Sequence, residues 1–139
     1  MKTTAVLPGS GGWKLRVNKT LPNASLAVLG DKTYAIRPGK QFFLINVTVA
    51  YSGKTPHAVF SAYDLSARGR GGLQYTQLND SCGVVRSALA DFKRLSAGSR
   101  ATGNLCFWIT QPDARALLLE YRSSSGRLRA VFKLHSRHP

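Results

Sequence analysis

The chain has 139 residues, 43% of them hydrophobic, and 20 Lys and Arg against 6 Asp and Glu give a formal net charge of +14. This length and apolar content suit one domain with a sizeable core and exclude a chain that is disordered throughout. The charge attracts polyanions, but it does not choose among nucleic acid, anionic lipid and cell-envelope polymer.

The first part of the chain predicts a flexible segment followed by short strands. Residues 1–12 end in a run of Pro, Gly and Ser, which is typical of a flexible lead-in. They hold too few apolar residues before Pro8 for a signal peptide, so we expect any export signal or lipid anchor to be missing from this chain. Residues 13–18 alternate apolar and polar side chains, the period of a half-buried strand. Apolar runs at 26–29 and 34–36 end at turn signals.

Residues 41–51 give the strongest strand signal of the chain. Large apolar side chains fall on one face, which we expect to face the core: Phe43, Ile45, Val47, Val49 and Tyr51. Residues 57–65 are rich in aromatic and β-branched side chains and predict another strand, with a short partner at 72–77.

An Arg-Gly run, Arg68-Gly69-Arg70-Gly71-Gly72, stands between these last two strands. RNA-binding Arg-Gly segments are long, repetitive and disordered, whereas this run is single and short. Its three glycines can supply positive-φ positions, so it predicts a hairpin turn.

The second half predicts three further strands and little helix. One short helical turn or an irregular crossover is expected near 86–95, and strands follow at 100–110, 115–122 and 127–135. On the last strand we expect four inward side chains: Leu128, Ala130, Phe132 and Leu134. In total, roughly seven to nine strands predict an antiparallel β-sandwich or small barrel over residues 13–135, with a frayed tail at 136–139.

Two cysteines, Cys82 and Cys106, fit neither a CxxC redox motif nor a four-ligand zinc site. One disulfide formed in an oxidising compartment is the favoured interpretation. Two reduced, buried thiols are the alternative.

The order of features from residue 42 onwards resembles a known family. Its most specific part is Leu95-x-x-Gly98-x-x-x-x-Gly103-x-x-Cys106-Phe107 with Cys82 upstream. This is similar to immunoglobulin-like bacterial extracellular domains of unknown function, some labelled after telomeric repeat-binding factor, and to the related mycobacterial secreted immunoprotective antigen fold. The resemblance covers about residues 13–134. It implies an immunoglobulin-like sandwich, a bridge between the two cysteines, export or lipoprotein anchoring, and no known catalysis. Residues 67–72 depart from it, because relatives commonly carry an acidic or Asn-rich turn there.

The sequence offers little catalytic chemistry. His57, His135 and His138 have no carboxylate or cysteine at ligand spacing, so we expect no metal and no cofactor. A couple of Cys82 with His57 would lose its thiolate to a disulfide. Gly-x-Ser-x-Gly and paired-carboxylate motifs are missing, and we predict that the chain is not an enzyme.

The remaining acids have ordinary structural explanations. Asp31 and Asp113 fall in predicted turns, where a carboxylate caps the backbone. Glu120 is expected to point outward and to pair with an arginine.

A basic surface is the remaining candidate site. Strand register turns several cations outward on the first and last strands, and they form one stripe if those strands share a sheet. The Arg-Gly turn would extend it. The full candidate set is Lys14, Arg16, Arg68, Arg70, Arg122, Arg127, Arg129 and Lys133, with His135 beside them.

Two functions follow from such a surface. The first is an exported or cell-surface binding domain for an anionic cell-envelope polymer or a protein, and the second is a cytosolic polyanion or nucleic-acid binder. Aromatic side chains do not interleave with the stripe, which disfavours single-stranded nucleic acid. The alternative without a binding function is an ordinary charged face that also prevents other strands from pairing with a sheet edge. Phe42 and Trp108 are candidates for an exposed apolar binding patch, unless a loop or partner domain buries them.

Overall fold

This computed structural model describes residues 3–21, 39–82, 88–89, 94–123 and 125–134. Ten strands lie within these ranges. They are β1 (Thr3–Val6), β2 (Trp13–Leu21), β3 (Lys40–Tyr51), β4 (His57–Ala58), β5 (Leu65–Arg68), β6 (Gln74–Thr76), β7 (Leu95–Ser96), β8 (Arg100–Thr110), β9 (Leu117–Arg122) and β10 (Leu128–Leu134). The first sheet has the order β1-β2-β3-β8 and the second β10-β9-β5-β6, while β4 pairs with β7. All pairings are antiparallel. The predicted all-β sandwich is confirmed.

The two sheets enclose one apolar core. The five inward side chains predicted on β3 are all at most 3% exposed, so the register of that strand is confirmed. β8 contributes Leu105, Phe107 and Ile109 to the same face. The second sheet supplies the opposite wall of the core: Leu65, Ala67, Tyr75, Leu117, Leu119, Tyr121, Phe132 and Leu134.

Two predicted boundaries are wrong. Residues 3–6 form edge strand β1, paired with β2 from Thr3↔Val17 to Val6↔Lys14, and Leu7 is 1% exposed, so the expected lead-in is ordered there. The predicted strand at 57–65 is broken, because β4 belongs to a separate pair and β5 to the second sheet. The chain crosses between them through a 3-10 turn, Ala62–Asp64.

The inward position predicted for Leu128 is also wrong. The register between β10 and β9 shifts between Leu128 and Ala130, and Leu128 pairs with Arg122 while its side chain is 43% exposed. A β-bulge of this kind changes the face on which the flanking side chains lie. The other three predicted inward residues keep their face: Phe132 and Leu134 are buried, and Ala130 packs against the core.

Some predictions fall outside the described residues. These are the apolar runs at 26–29 and 34–36, most of the stretch at 86–95, and the tail at 136–139. Within the described ranges, no helix is long and apolar enough to span a membrane.

The Arg-Gly run forms the predicted turn between β5 and β6. Arg68 pairs with Gln74, and the N–H of Gly69 donates to the Leu73 carbonyl over 2.8 Å. Of the three glycines only Gly72 has a positive φ, +92°. Gly69 is needed for a different reason: a Cβ at this position would lie 2.2 Å from Oδ2 of Asp113. The expectation of three positive-φ positions is therefore wrong, although the turn itself is confirmed.

Candidate anion-binding surface

The condition for a single basic stripe, that the first and last strands share a sheet, is not met. β2, which carries Lys14 and Arg16, lies in the first sheet, and β10 lies in the second. The outer faces of two packed sheets point in opposite directions. The candidate cations therefore divide between two separate surfaces.

On the second sheet, two of the candidate arginines hold a buried acid. Glu120 is 3% exposed, and its two oxygens pair with Arg68 Nε at 3.0 Å and Arg122 Nη2 at 3.1 Å. Both arginines also donate to turn carbonyls, of Gly72 and Gly126. The prediction that Glu120 pairs with arginine is confirmed. Because both guanidinium groups have internal partners, they are poor candidates for ligand contacts.

The other cations of the second sheet are scattered. Arg127, Arg129 and Lys133 are all exposed, but Arg129 lies at the bulge and its Nε is 3.5 Å from the position of a Cβ on Gly9. Arg70, at the tip of the Arg-Gly turn, instead lines a depression of about 390 Å³ with Gln111, Pro112 and Arg115. These side chains do not form one surface with Lys14 and Arg16.

The first sheet brings together a cluster that the sequence did not reveal in full. Lys14 and Arg16 on β2 and Arg100 on β8, which we call the cation cluster, line a depression of about 100 Å³. Thr4, Thr48 and Ala50 line the same depression. Arg100 was missed because only strand pairing places it here: Ala50 of β3 pairs with Lys14 on one side and with Arg100 on the other.

A network of polar side chains crosses the sheet beside this cluster. Arg16 Nε donates to Asn18 Oδ1 over 2.9 Å, and Asn18 Nδ2 donates to Asn46 and to Thr48. The network continues onto β8 through the pairs Asn46–Asn104 and Thr48–Thr102. Asn18 is the extra residue where the β2–β3 register shifts between Val17 and Lys19. The network holds one edge of the Arg16 guanidinium in place.

Acidic side chains lie elsewhere among the described residues. Glu120 is covered by its two arginines, and Asp64 lies in the turn before β5, where burial raises the pKa of its carboxyl group. Asp80 accepts from the backbone N–H of Thr76. No described carboxylate lines the cation cluster, and no ion pair among the described residues involves its three side chains.

Asp113 has a different role from the predicted backbone cap. It is 8% exposed and accepts from the hydroxyl of Tyr75 at 2.5 Å and from that of Thr110 at 3.1 Å. The 3-10 turn that contains it, Gln111–Arg115, has no side-chain cap. Burial, and then this hydrogen bond, raise the pKa of Tyr75. The carboxylate therefore holds the turn against β6 and the end of β8. Asp31 lies outside the described residues.

At the other end of the first sheet, a disulfide and its apolar neighbours form a small second cluster. Cys82 and Cys106 are bonded, with 5.5 Å between their Cα atoms, so the predicted disulfide is confirmed. It packs with Leu44, Phe42 and Trp108, and Phe42 is 5% exposed. The rings of Phe42 and Trp108 meet edge to face at a centroid distance of 6.1 Å. Phe42 is therefore buried and does not belong to an exposed apolar binding patch.

The structure removes the one nucleophile that the sequence had suggested. The sulfur of Cys82 is in the disulfide, so it cannot act with His57, which is exposed on β4. In the described part of the chain, no group of three His, Cys, Asp or Glu side chains is arranged to hold a metal ion. His135 and His138 lie outside the described residues.

Three solved structures share this architecture. The chain is similar to a secreted protein of Mycobacterium tuberculosis, MPT63, with a TM-score of 0.61 and 14% identity over 96% of this chain and 92% of that one. It is similar to the yjhA protein of Bacillus subtilis, with a TM-score of 0.63 and 15% identity over 96% and 99% of the two chains. A functionally unknown protein of Listeria monocytogenes gives a TM-score of 0.57 and 14% identity over 98% and 84%.

Sequence comparison adds no family to these structural likenesses. No protein-family profile matches the chain, and no curated protein matches it. At 14–15% identity the three structures establish the β-sandwich fold, which agrees with the fold expected from the resemblance to the mycobacterial secreted antigen.

Proposed function

We propose that this chain is a non-catalytic, exported or cell-surface binding domain that holds an anionic cell-envelope polymer on the outer face of its first sheet. The observation that carries the proposal is the cation cluster, three positive side chains around one depression with no described carboxylate beside them. Anionic groups of a polymer would supply the missing negative charge.

Two further observations support export. The disulfide is typical of proteins that mature in an oxidising compartment. One of the similar structures is described as a secreted protein.

The test compares two variants that each remove three positive charges. Lys14→Gln/Arg16→Gln/Arg100→Gln empties the cation cluster, and Arg127→Gln/Arg129→Gln/Lys133→Gln is the matched control on the second sheet. The probe is polygalacturonate at about 150 mM salt, with uncharged dextran as the negative control. At about 0.2–1 kcal/mol for each of three exposed ion pairs, the cluster variant should lose roughly 3- to 100-fold in affinity. The control variant should lose less than threefold.

Equal losses in the two variants would show that net charge, not the cluster, determines binding, and would refute the proposal. Failure of wild-type protein to bind polygalacturonate or polyphosphate at this salt concentration would refute it as well. Circular dichroism and thermal unfolding of both variants establish that the fold is retained.

A further inference from the structure

A second concave surface opens at the same end of the sandwich as the cation cluster. This ring groove, as we call it, has a volume of about 620 Å³, lies between the β1–β2 loop and the segment after β3, and is lined in part by Gly12, Trp13, Tyr51, Gly53 and Val59. Its volume is within the range of about 300–1,000 Å³ that is usual for small-ligand sites.

Glycines make the ring groove a built feature of the fold. A Cβ on Gly53 would lie 2.2 Å from the carbonyl oxygen of Gly11, and one on Gly12 would lie 2.4 Å from the Cα of Gly53. Gly12 also has a φ of +111°. The N–H of Ser52 donates to the Gly12 carbonyl over 2.8 Å, which ties the two loops together. The backbones of the two loops touch directly at these glycines, and this contact fixes the wall of the groove.

The chemistry of the lining suits a sugar ring. Trp13 and Tyr51 line the groove with ring centroids 5.0 Å apart, and Phe60 packs against Trp13 at 5.2 Å. The side chains of Trp13 and Tyr51 are 5% and 3% exposed, so only their edges reach the groove, and Val59, which is 61% exposed, supplies more of the apolar lining. Ser10, Ser52, Thr55 and the exposed Lys54 line the same space. The three hydroxyl groups each make a hydrogen bond within the protein, and a hydroxyl group can make more than one. Apolar ring edges beside hydroxyl groups match a sugar, which carries C–H groups and hydroxyls together.

The ring groove and the cation cluster adjoin each other along the chain. Trp13 pairs with Tyr51, and the next pair in the ladder is Lys14 with Ala50. One step along a strand is about 3.3 Å. Successive side chains point to opposite faces, so the ring groove lies at the inner side of the sheet end and the cluster at its outer side. A polymer that passes around this end meets both.

We infer that the ring groove binds one sugar unit of an acidic saccharide chain, whose neighbouring units place their anionic groups on Lys54 and on the cation cluster. This inference rests on the proposed function and narrows it, because it requires a ligand with rings as well as charge.

The test separates rings from charge with two soluble probes. A Trp108→Phe background leaves Trp13 as the single tryptophan, since the chain has 2. Oligogalacturonate carries rings and carboxylates, whereas polyphosphate carries charge without rings. Oligogalacturonate should change the emission of Trp13, and polyphosphate should bind with a change at least fivefold smaller.

Two variants then address the ring groove itself. Ser52→Phe fills it, and Ser125→Phe makes the same change at the exposed turn before β10. Ser52→Phe should weaken oligogalacturonate at least tenfold and leave polyphosphate affinity within twofold, while Ser125→Phe should change neither. Lys54→Gln, at an exposed position, should weaken oligogalacturonate about threefold and covers the case in which Ser52→Phe fails to fold.

The outcomes distinguish this inference from the function on which it rests. If Ser52→Phe and Lys54→Gln both bind oligogalacturonate as wild type does, the inference is wrong while the cation-cluster function stands. If wild-type protein binds neither oligogalacturonate nor polyphosphate, both the inference and the proposed function are refuted. Equal binding of uncharged maltooligosaccharide would refute the requirement for an acidic saccharide.

Discussion

Replacing Gly69 by alanine tests how the Arg-Gly turn is held in place. The new Cβ would lie 2.2 Å from Oδ2 of Asp113 and 2.3 Å from its Cγ, where ordinary contacts begin at 3.4 Å. The carboxylate or the turn must therefore move by about 1 Å, since a buried site offers little room for adjustment. Movement of that size breaks the bond of 2.5 Å from the Tyr75 hydroxyl.

Two effects set the magnitude of the loss. Overpacking a filled site costs about 1–3 kcal/mol, and a buried hydrogen bond whose partners stay unsatisfied costs about 1–3 kcal/mol. Movement of the Asp113 carboxylate relieves the overpacking but breaks its hydrogen bond with Tyr75. The two costs therefore do not add in full, and we expect Gly69→Ala to lower the free energy of unfolding by about 3 kcal/mol. For a chain of this length, that loss corresponds to a fall of roughly 10 °C in Tm.

The neighbouring glycines provide matched controls. Gly71 has open space around it and no positive φ, so Gly71→Ala should change the free energy of unfolding by less than about 0.5 kcal/mol. Gly72→Ala meets no atoms, but its φ of +92° predicts a loss of about 1–2 kcal/mol from backbone strain alone.

Urea unfolding of the three variants, and of Gly69→Ala in an Asp113→Ala background, measures these differences. The loss from Gly69→Ala should shrink by at least half when the carboxylate is removed. Coincident unfolding curves for Gly69→Ala and Gly71→Ala would refute the reasoning, and so would a loss that persists in full without Asp113.

Two other predictions concern the disulfide and alkaline pH. Cys82→Ser/Cys106→Ser should lower the free energy of unfolding by about 3 kcal/mol, because the bridge closes a separation of 24 residues; urea unfolding that matches the oxidised wild type would contradict this. Burial raises the pKa of Tyr75 and of Tyr121, so above about pH 10 the unfolded chain loses protons that the folded chain keeps. Stability should therefore fall as the pH rises above about 10, and Tyr75→Phe should reduce that slope in unfolding free energies measured on both sides of that pH.

Alternation along a strand was enough to predict the central part of this fold. On β3 the large side chains recur at every second position, and burial on one face follows directly from that period. The Arg-Gly turn was also predictable, because it is short and stands between two strands.

The errors arose where pairing, not period, determines the structure. Leu128 keeps the alternation of β10, yet a bulge places it among exposed side chains. β1 was missed because a four-residue edge strand gives almost no periodic signal, and Arg100 was missed because its neighbours belong to other strands. A sequence read along one strand does not tell which residue lies opposite it.

The positions of the described carboxylates are the reason for proposing the first sheet, and not the second, as the anion-binding surface. At physiological salt the Debye length is about 8 Å, so a polymer senses the charges near its contact and not the net charge of +14. On the second sheet Glu120 already engages Arg68 and Arg122, which leaves that patch nearly satisfied. Lys14, Arg16 and Arg100 lie on the outer face of the first sheet, and none of the described carboxylates lines the depression between them. Placing a carboxylate in that depression by Thr48→Asp should therefore weaken polygalacturonate affinity more than Ser125→Asp at the exposed turn before β10, although both substitutions change the net charge by one unit.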